Sequence, residues 1–132
     1  NRTWRAFVFI LTLLYSALIF YLSSLENVGM QGLSPFSVPL LLQHGAEFAL
    51  LGLLVFVLLR SAQLSGWKLA LSSILIAGFY GVTDEIHQYF VPGRVCSIED
   101  VIADFLGATF AVLIMLSFQK MLASKPSREK LG

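Results

Sequence analysis

The sequence predicts an all-α protein, a four-transmembrane-helix bundle with both termini in the cytoplasm. The 132 residues are 57% hydrophobic and 13% charged, with a mean hydropathy of +0.79, whereas soluble domains carry about 25% charged residues. The apolar residues fall into four long runs. Most basic residues lie next to the run ends that would face the same side of a membrane. The length suits one membrane domain, residues 1–122, followed by a polar C-terminal tail, residues 123–132.

Each apolar run is long enough to form a membrane-spanning helix. The predicted helices are approximately 4–22, 40–59, 68–90 and 98–119. A run of this length, at about 1.5 Å per residue, crosses a hydrocarbon core of about 30 Å. Backbone polar groups in lipid must be satisfied within the segment, which favours helices over strands. We expect the first run to stay uncleaved, because no small-x-small signal-peptidase site follows it.

The positions of Lys and Arg predict the orientation of the helices. Eight of the nine basic residues lie near the termini or flank the link 60–67, and only Arg94 lies in the other two links. We therefore expect links 23–39 and 91–97 outside the plasma membrane and both termini in the cytoplasm. The net charge of only +1 argues against a nucleic-acid partner.

Polar side chains interrupt the second, third and fourth helices at a common depth. At 1.5 Å per residue, Glu47, Asp84 and Asp104 lie about 9–11 Å below the outer helix ends. Spacings of three or four residues place the polar side chains of each helix on a shared face. Ionisable groups inside a membrane are costly and mark a candidate functional site. The set, which we call the polar layer, comprises His44, Glu47, Asp84, Glu85, His87, Gln88, Asp100 and Asp104.

The electrostatics of the polar layer restrict what it does. Its five carboxylates cannot all be ionised close together, so they must share protons, pair with a cationic side chain or bind a cation. Arg94 follows Pro92-Gly93, which we expect to turn the chain back over the layer. The guanidinium fork suits a carboxylate or a phosphate. A purely structural role is also open: a buried His or Glu can simply hold helices together, and Ser97 is a candidate N-cap.

Three blocks of the sequence resemble the VanZ-like family of small bacterial integral membrane proteins. The blocks are Leu22-Ser23-Ser24, His44-x-x-Glu47-Phe48 and Asp84-Glu85-x-His87-Gln88-x-Phe90-x-Pro92-Gly93-Arg94-x-x-Ser97-x-x-Asp100-Val101-x-x-Asp104-x-x-Gly107-Ala108. The resemblance implies a multi-pass protein of the bacterial plasma membrane. The founding member of that family is associated with resistance to teicoplanin-type glycopeptides. Asp104 stands where many members have Asn.

Three functions are compatible with these residues. The first is a cell-envelope factor that uses the polar layer and Arg94 to bind the head group of a lipid or lipid-linked wall precursor. The second is a metal-dependent membrane hydrolase or transferase with Glu85 as general base. The third is an accessory subunit of a larger membrane complex, in which the polar layer only locks the helices together. Candidate ligands for a divalent metal are His44, Glu47, Asp84, His87 and Asp104.

Overall fold

Residues 1–25 and 40–124 are described by the computed structural model, and they form four α-helices without a strand. All four helices are long and apolar enough to cross a membrane, which confirms the predicted fold class. The predicted C-terminal tail beyond Ser124 and residues 26–39 of the first link lie outside the described residues. The helices are α1 (Arg2–Ser24), α2 (Leu40–Ser61), α3 (Gly66–Tyr89) and α4 (Ile98–Ala123).

Capping side chains define where α1 and α4 begin. The Asn1 side chain accepts a hydrogen bond from the Thr3 amide at 3.0 Å. The Ser97 hydroxyl accepts one from the Asp100 amide at 3.4 Å, confirming the predicted N-cap. Each cap satisfies a backbone N–H that has no partner within its helix.

The helices form one bundle in which α2 and α4 have the most extensive contact. α3 packs against both, and α1 packs against α2 and α3 but, within the described ranges, not against α4. α2 and α4 run parallel, because Gly45 meets Ala103 and Gly52 meets Ala108 further along both helices. The C-terminal ends of α1 and α3 lie beside the N-terminal ends of α2 and α4. We call this end of the bundle the polar end.

Two apolar clusters fill the bundle below the polar end. Phe48, Leu51 and Ala77 belong to the first cluster, and Phe56 and Val112 belong to the second. Many other large apolar side chains are exposed around the bundle. Because a bilayer solvates apolar surface, this distribution suits helices surrounded by lipid.

Glycines set the close approach of α2 and α4. A Cβ atom on Gly107 would collide with the carbonyl oxygen of Gly45, and one on Gly52 would lie 2.9 Å from the Ala108 Cα. Both obstacles are backbone atoms, which cannot rotate away as a flexible side chain would. Small residues let membrane helices pack at short distance, and here they bring the polar residues of α2 and α4 together.

We expect Gly107→Ala to destabilise the bundle by about 1–3 kcal/mol, because the added methyl group overpacks the α2–α4 contact. The matched control is Gly45→Ala, whose Cβ would lie 3.7 Å from the Ala103 carbonyl oxygen. This distance is ordinary contact, so we expect a neutral effect or a gain of up to about 1 kcal/mol in helix propensity. Denaturant unfolding in detergent measures both, and equal effects of the two substitutions would contradict the assigned packing.

Candidate functional site

The polar end contains the whole polar layer, most of it removed from solvent. Six of its eight side chains are buried, and Glu47 and His87 are half-buried. Burial of polar groups is costly unless they find partners. Most of these side chains find partners on neighbouring helices.

His44 links α2 to α4. Its Nδ1 lies 3.2 Å from Asp104 Oδ1, and its Nε2 lies 4.0 Å from Asp100 Oδ2. The first distance allows a hydrogen bond and the second does not. Asp104 has no exposed surface, and its other oxygen faces α3, where a Cβ atom on Gly81 would collide with it. The absence of a side chain at Gly81 therefore makes room for the Asp104 carboxylate.

Glu85 connects α3 to the beginning of α4. Its Oε2 accepts a hydrogen bond from the Ser97 amide at 2.9 Å. The Ser97 hydroxyl donates to Glu99 Oε2 at 2.7 Å, so Glu99 is bound outside the layer and stays exposed. Glu85 thus holds the start of α4 in place while its own side chain is 2% exposed.

Asp84 and Gln88 form a pair within α3. The Gln88 amide donates to Asp84 Oδ2 at 2.8 Å and to the Ser23 hydroxyl of α1 at 3.4 Å. The spacing of four residues predicted that the two side chains share a face. The contact with Ser23 joins α1 to the layer.

His87 faces α1 and not the carboxylates of α4. Its Nε2 lies 2.9 Å from the Ser24 hydroxyl, and its ring stacks on Phe20 with centroids 4.2 Å apart. The structure therefore places His87 apart from the other predicted metal ligands. Phe20 had no distinguishing signal in the sequence, because phenylalanine is common throughout the apolar helices.

Arg94 binds the end of α1 and makes no direct contact with the carboxylates of the polar layer. Val91 to Arg94 form a turn closed by the Arg94 amide donating to the Val91 carbonyl at 3.1 Å, with Gly93 at φ 77°. Pro92 at the second position and a positive φ at the third are the features of a type II turn. The guanidinium donates to the Leu22 and Leu25 carbonyl oxygens at 2.8 and 3.3 Å. These bonds satisfy carbonyl groups that the end of α1 leaves without partners.

Glu47 lies at the lower edge of the layer. Its backbone carbonyl accepts a hydrogen bond from the Tyr15 hydroxyl at 3.1 Å. The Glu47 carboxylate lies within electrostatic reach of His44 and Arg94. A second tyrosine, Tyr80, donates to the Ser16 carbonyl at 2.6 Å. The two tyrosines fix α1 against α2 and α3 below the site, a role that the sequence did not reveal because the acceptors are backbone groups.

Three buried carboxylate oxygens accept no hydrogen bond from the described residues. They are Asp84 Oδ1, Glu85 Oε1 and Asp104 Oδ2. A buried acceptor without a donor costs about 1–3 kcal/mol. The polar layer is therefore only partly satisfied by the described residues, which leaves three buried acceptors that hydrogen-bond donors or cations can engage.

His44, Glu85 and Asp100 can direct ligand atoms at a common point. One nitrogen or carboxylate oxygen from each lies within 4.8 Å of the other two. Of the ligands predicted from the sequence, only His44 belongs to this group. Glu85 was predicted as a general base and Asp100 as a ligand-binding residue, and both roles remain predictions.

The single cysteine lies in the loop between α3 and α4, beside these acids. Cys96 is exposed. The pKa of its thiol is raised by partial desolvation and by the negative charges of Glu85 and Asp100. A raised pKa lowers the thiolate fraction at neutral pH, so we expect Cys96 to react more slowly than an unperturbed thiol.

We expect Arg94→Ala to destabilise the fold by about 1–2 kcal/mol, because α1 loses charge-assisted hydrogen bonds to its terminal carbonyls. Arg94→Lys should recover only part of the loss, since an ammonium group lacks the planar fork. Thermal unfolding in detergent measures the series. Arg60→Ala, which removes an exposed arginine at the opposite end, is the control and should have a smaller effect. A larger loss in the control would contradict the role assigned to Arg94.

Comparison with known proteins agrees with these features. A family model described as VanZ/LLP1 matches residues 4–119, a range that includes the entire polar layer. No curated protein and no solved structure matches the chain. The matched range covers most of the sequence and nearly all of the four apolar helices. The chain is therefore a multi-pass membrane protein that belongs to the VanZ/LLP1 family.

Proposed function

We propose that this protein is a cell-envelope factor whose polar end binds the head group of a membrane lipid or lipid-linked wall precursor. The observation that carries the proposal is a set of three buried oxygens, on Asp84, Glu85 and Asp104, that accept no hydrogen bond from residues 1–25 and 40–124. Hydroxyl and amine groups of a head group are donors that can satisfy such oxygens, and a bound cation can do the same. The polar layer lies near one end of the four helices, and the ends of membrane-spanning helices approach the level of the lipid head groups.

An apolar groove beside the polar layer supports a lipid as the ligand. The groove has a volume of about 660 Å³ and lies on the α2–α4 face of the bundle. Gly45 and Ala103 line it, and each is next in sequence to a polar-layer residue, His44 or Asp104. Its other lining residues are almost all apolar, with Glu99 as the charged exception. We assign this groove to the hydrocarbon chain of the same lipid.

The hydrogen bonds of Arg94 to α1 limit how this side chain can act on a ligand. Two of its nitrogen atoms are engaged with α1 carbonyl groups, so the side chain is fixed rather than free to follow a ligand. Its positive charge still acts on the site, since it reaches Glu47 electrostatically. Arg94 thus supplies positive potential for a phosphate group, and the hydrogen-bond acceptors of the layer bind the donors of the head group.

The distribution of basic residues supports an orientation with the polar end outside the plasma membrane. Arg2, Arg5 and Arg60 lie at the opposite end of the bundle. Basic residues concentrate on the cytoplasmic side of membrane proteins. In this orientation both termini are cytoplasmic, and the polar end is accessible to components of the outer leaflet and the cell wall.

We expect Asp84→Asn to reduce specific lipid co-purification, because the charged acceptor becomes a weaker, neutral one. Losing a buried hydrogen bond that contributes about 1–1.5 kcal/mol to binding corresponds to roughly a tenfold loss of affinity for the lipid. Quantitative mass spectrometry of lipids that remain with the purified full chain in mild detergent provides the measurement.

The matched control for Asp84→Asn is Thr83→Val. Thr83 is exposed, and its hydroxyl donates to the Tyr80 carbonyl within α3, away from the layer. We expect the control to keep the wild-type lipid profile. An identical profile in the wild type and Asp84→Asn would refute head-group binding by the layer.

The orientation predicts that Cys96 reacts with a membrane-impermeant maleimide in intact bacterial cells. The rate should increase as the pH rises, because the reagent attacks the thiolate and the pKa of this thiol is raised. A cysteine introduced as Ser65→Cys in a Cys96→Ser background lies at the opposite, exposed end and should react only after permeabilisation. The reverse pattern would place the polar end in the cytoplasm.

A further inference from the structure

The His44 ring is held by one of its nitrogens, and its other nitrogen makes no hydrogen bond to the described residues. Its Nδ1 lies 3.2 Å from Asp104 Oδ1, a distance at which an Nδ1–H group can donate to that carboxylate. In the neutral tautomer with its proton on Nδ1, Nε2 carries the lone pair that a metal ion requires. Histidines that bind metals commonly donate their other N–H to a carboxylate, which fixes the tautomer and the ring orientation. The Nε2 atom faces Asp100 Oδ2 at 4.0 Å, which is too far for a hydrogen bond.

Glu85 supplies an independent indication of a bound cation. The side chain is 2% exposed, and its Oε1 accepts no hydrogen bond from the described part of the chain. Its Oε2 is held by the Ser97 amide, so the carboxylate cannot turn away to find another partner without losing that bond. A ligand atom of Glu85 lies within 4.8 Å of one from His44 and one from Asp100.

We propose that His44, Glu85 and Asp100 form a binding site for one divalent transition-metal ion. Metal–ligand distances of about 2.0–2.2 Å place the ligand atoms of a tetrahedral ion about 3.4 Å apart. His44 Nε2 and Asp100 Oδ2 are 4.0 Å apart, so they would approach by roughly 0.6 Å on binding an ion. One ligand atom from each of the three residues already lies within 4.8 Å of the other two.

Charge and ligand type narrow the identity of the ion. Two carboxylates and one neutral imidazole neutralise a doubly charged ion, which removes the penalty of isolated negative charges at a buried position. The imidazole suits Zn²⁺ or Fe²⁺, and the two carboxylates also suit Mn²⁺, whereas Mg²⁺ and Ca²⁺ prefer oxygen ligands throughout. Asp104 positions His44 and does not itself bind the ion.

A metal ion at this position would explain how the polar layer binds an anionic head group. This inference rests on the proposed function. Three protein ligands leave coordination positions open on the ion. An oxygen atom of a head-group phosphate or hydroxyl can occupy one of them. The ion would thus let an acid-rich site accept an anionic ligand that the carboxylates alone would repel.

Metal content of the purified full chain tests the site. The protein is incubated with Zn²⁺ or Mn²⁺, passed through a desalting column and measured by elemental analysis. We expect about one ion per chain in the wild type and at least a tenfold weaker affinity in Glu85→Gln and Asp100→Asn, a loss comparable to that caused by disturbing metal-site residues elsewhere. Folded wild-type protein that retains no stoichiometric ion would overturn the proposal.

The matched control is Glu99→Gln, the same substitution as Glu85→Gln at an exposed position that binds Ser97. Glu99→Gln should keep the wild-type affinity for the metal ion. A loss of affinity equal to that of Glu85→Gln would overturn the proposed metal site. Circular dichroism establishes that each variant is helical before its metal content is compared.

Because Asp84→Asn leaves all three ligands in place, lipid loss in that variant with metal retained supports both proposals. Unchanged lipid in Asp84→Asn with metal bound would refute the head-group proposal alone.

Discussion

The close approach of α2 and α4 is the constraint on which the rest of the structure depends. The Gly107 position leaves no space for a side chain against the Gly45 carbonyl. This contact lies next to His44 and one turn from Asp104, and it brings the imidazole and the carboxylate within hydrogen-bonding distance. If the helices were separated by the width of a larger side chain, the buried Asp104 carboxylate would lose its hydrogen bond to His44. The hydrogen bond between His44 and Asp104 therefore depends on the close packing of the two helix backbones.

The remaining helices complete the site in different ways. α3 carries acids on two sides, so that Asp84 pairs with Gln88 inside the helix while Glu85 reaches α4. α1 carries no acidic or basic residue in its last turn and contributes hydroxyl and carbonyl groups to the polar end instead. Its attachment through His87 and Arg94 joins α1 to the polar end, although the described residues of α1 make no contact with α4.

The sequence predicted the helices and the faces of the polar layer because both depend on local periodicity. A run of apolar residues specifies a spanning helix, and spacings of three or four residues specify a shared face. The partners across helices were harder to predict, since they depend on how each helix is rotated against its neighbours. His87 shares a predicted face with Asp84, yet its ring packs on Phe20 of α1. Arg94 was expected over the acids, but its hydrogen bonds go to backbone carbonyls, which every residue has and no sequence pattern marks.

The parallel arrangement of α2 and α4 has an electrostatic consequence. Both helices begin at the polar end, so their macrodipoles point their positive ends, each equivalent to roughly half an elementary charge, toward the same group of acids. Asp100 lies in the first turn of α4, where this field is strongest. Part of the positive charge that compensates the acids therefore belongs to the peptide backbone. No side-chain substitution removes it, and it persists for as long as the two helices keep their common direction.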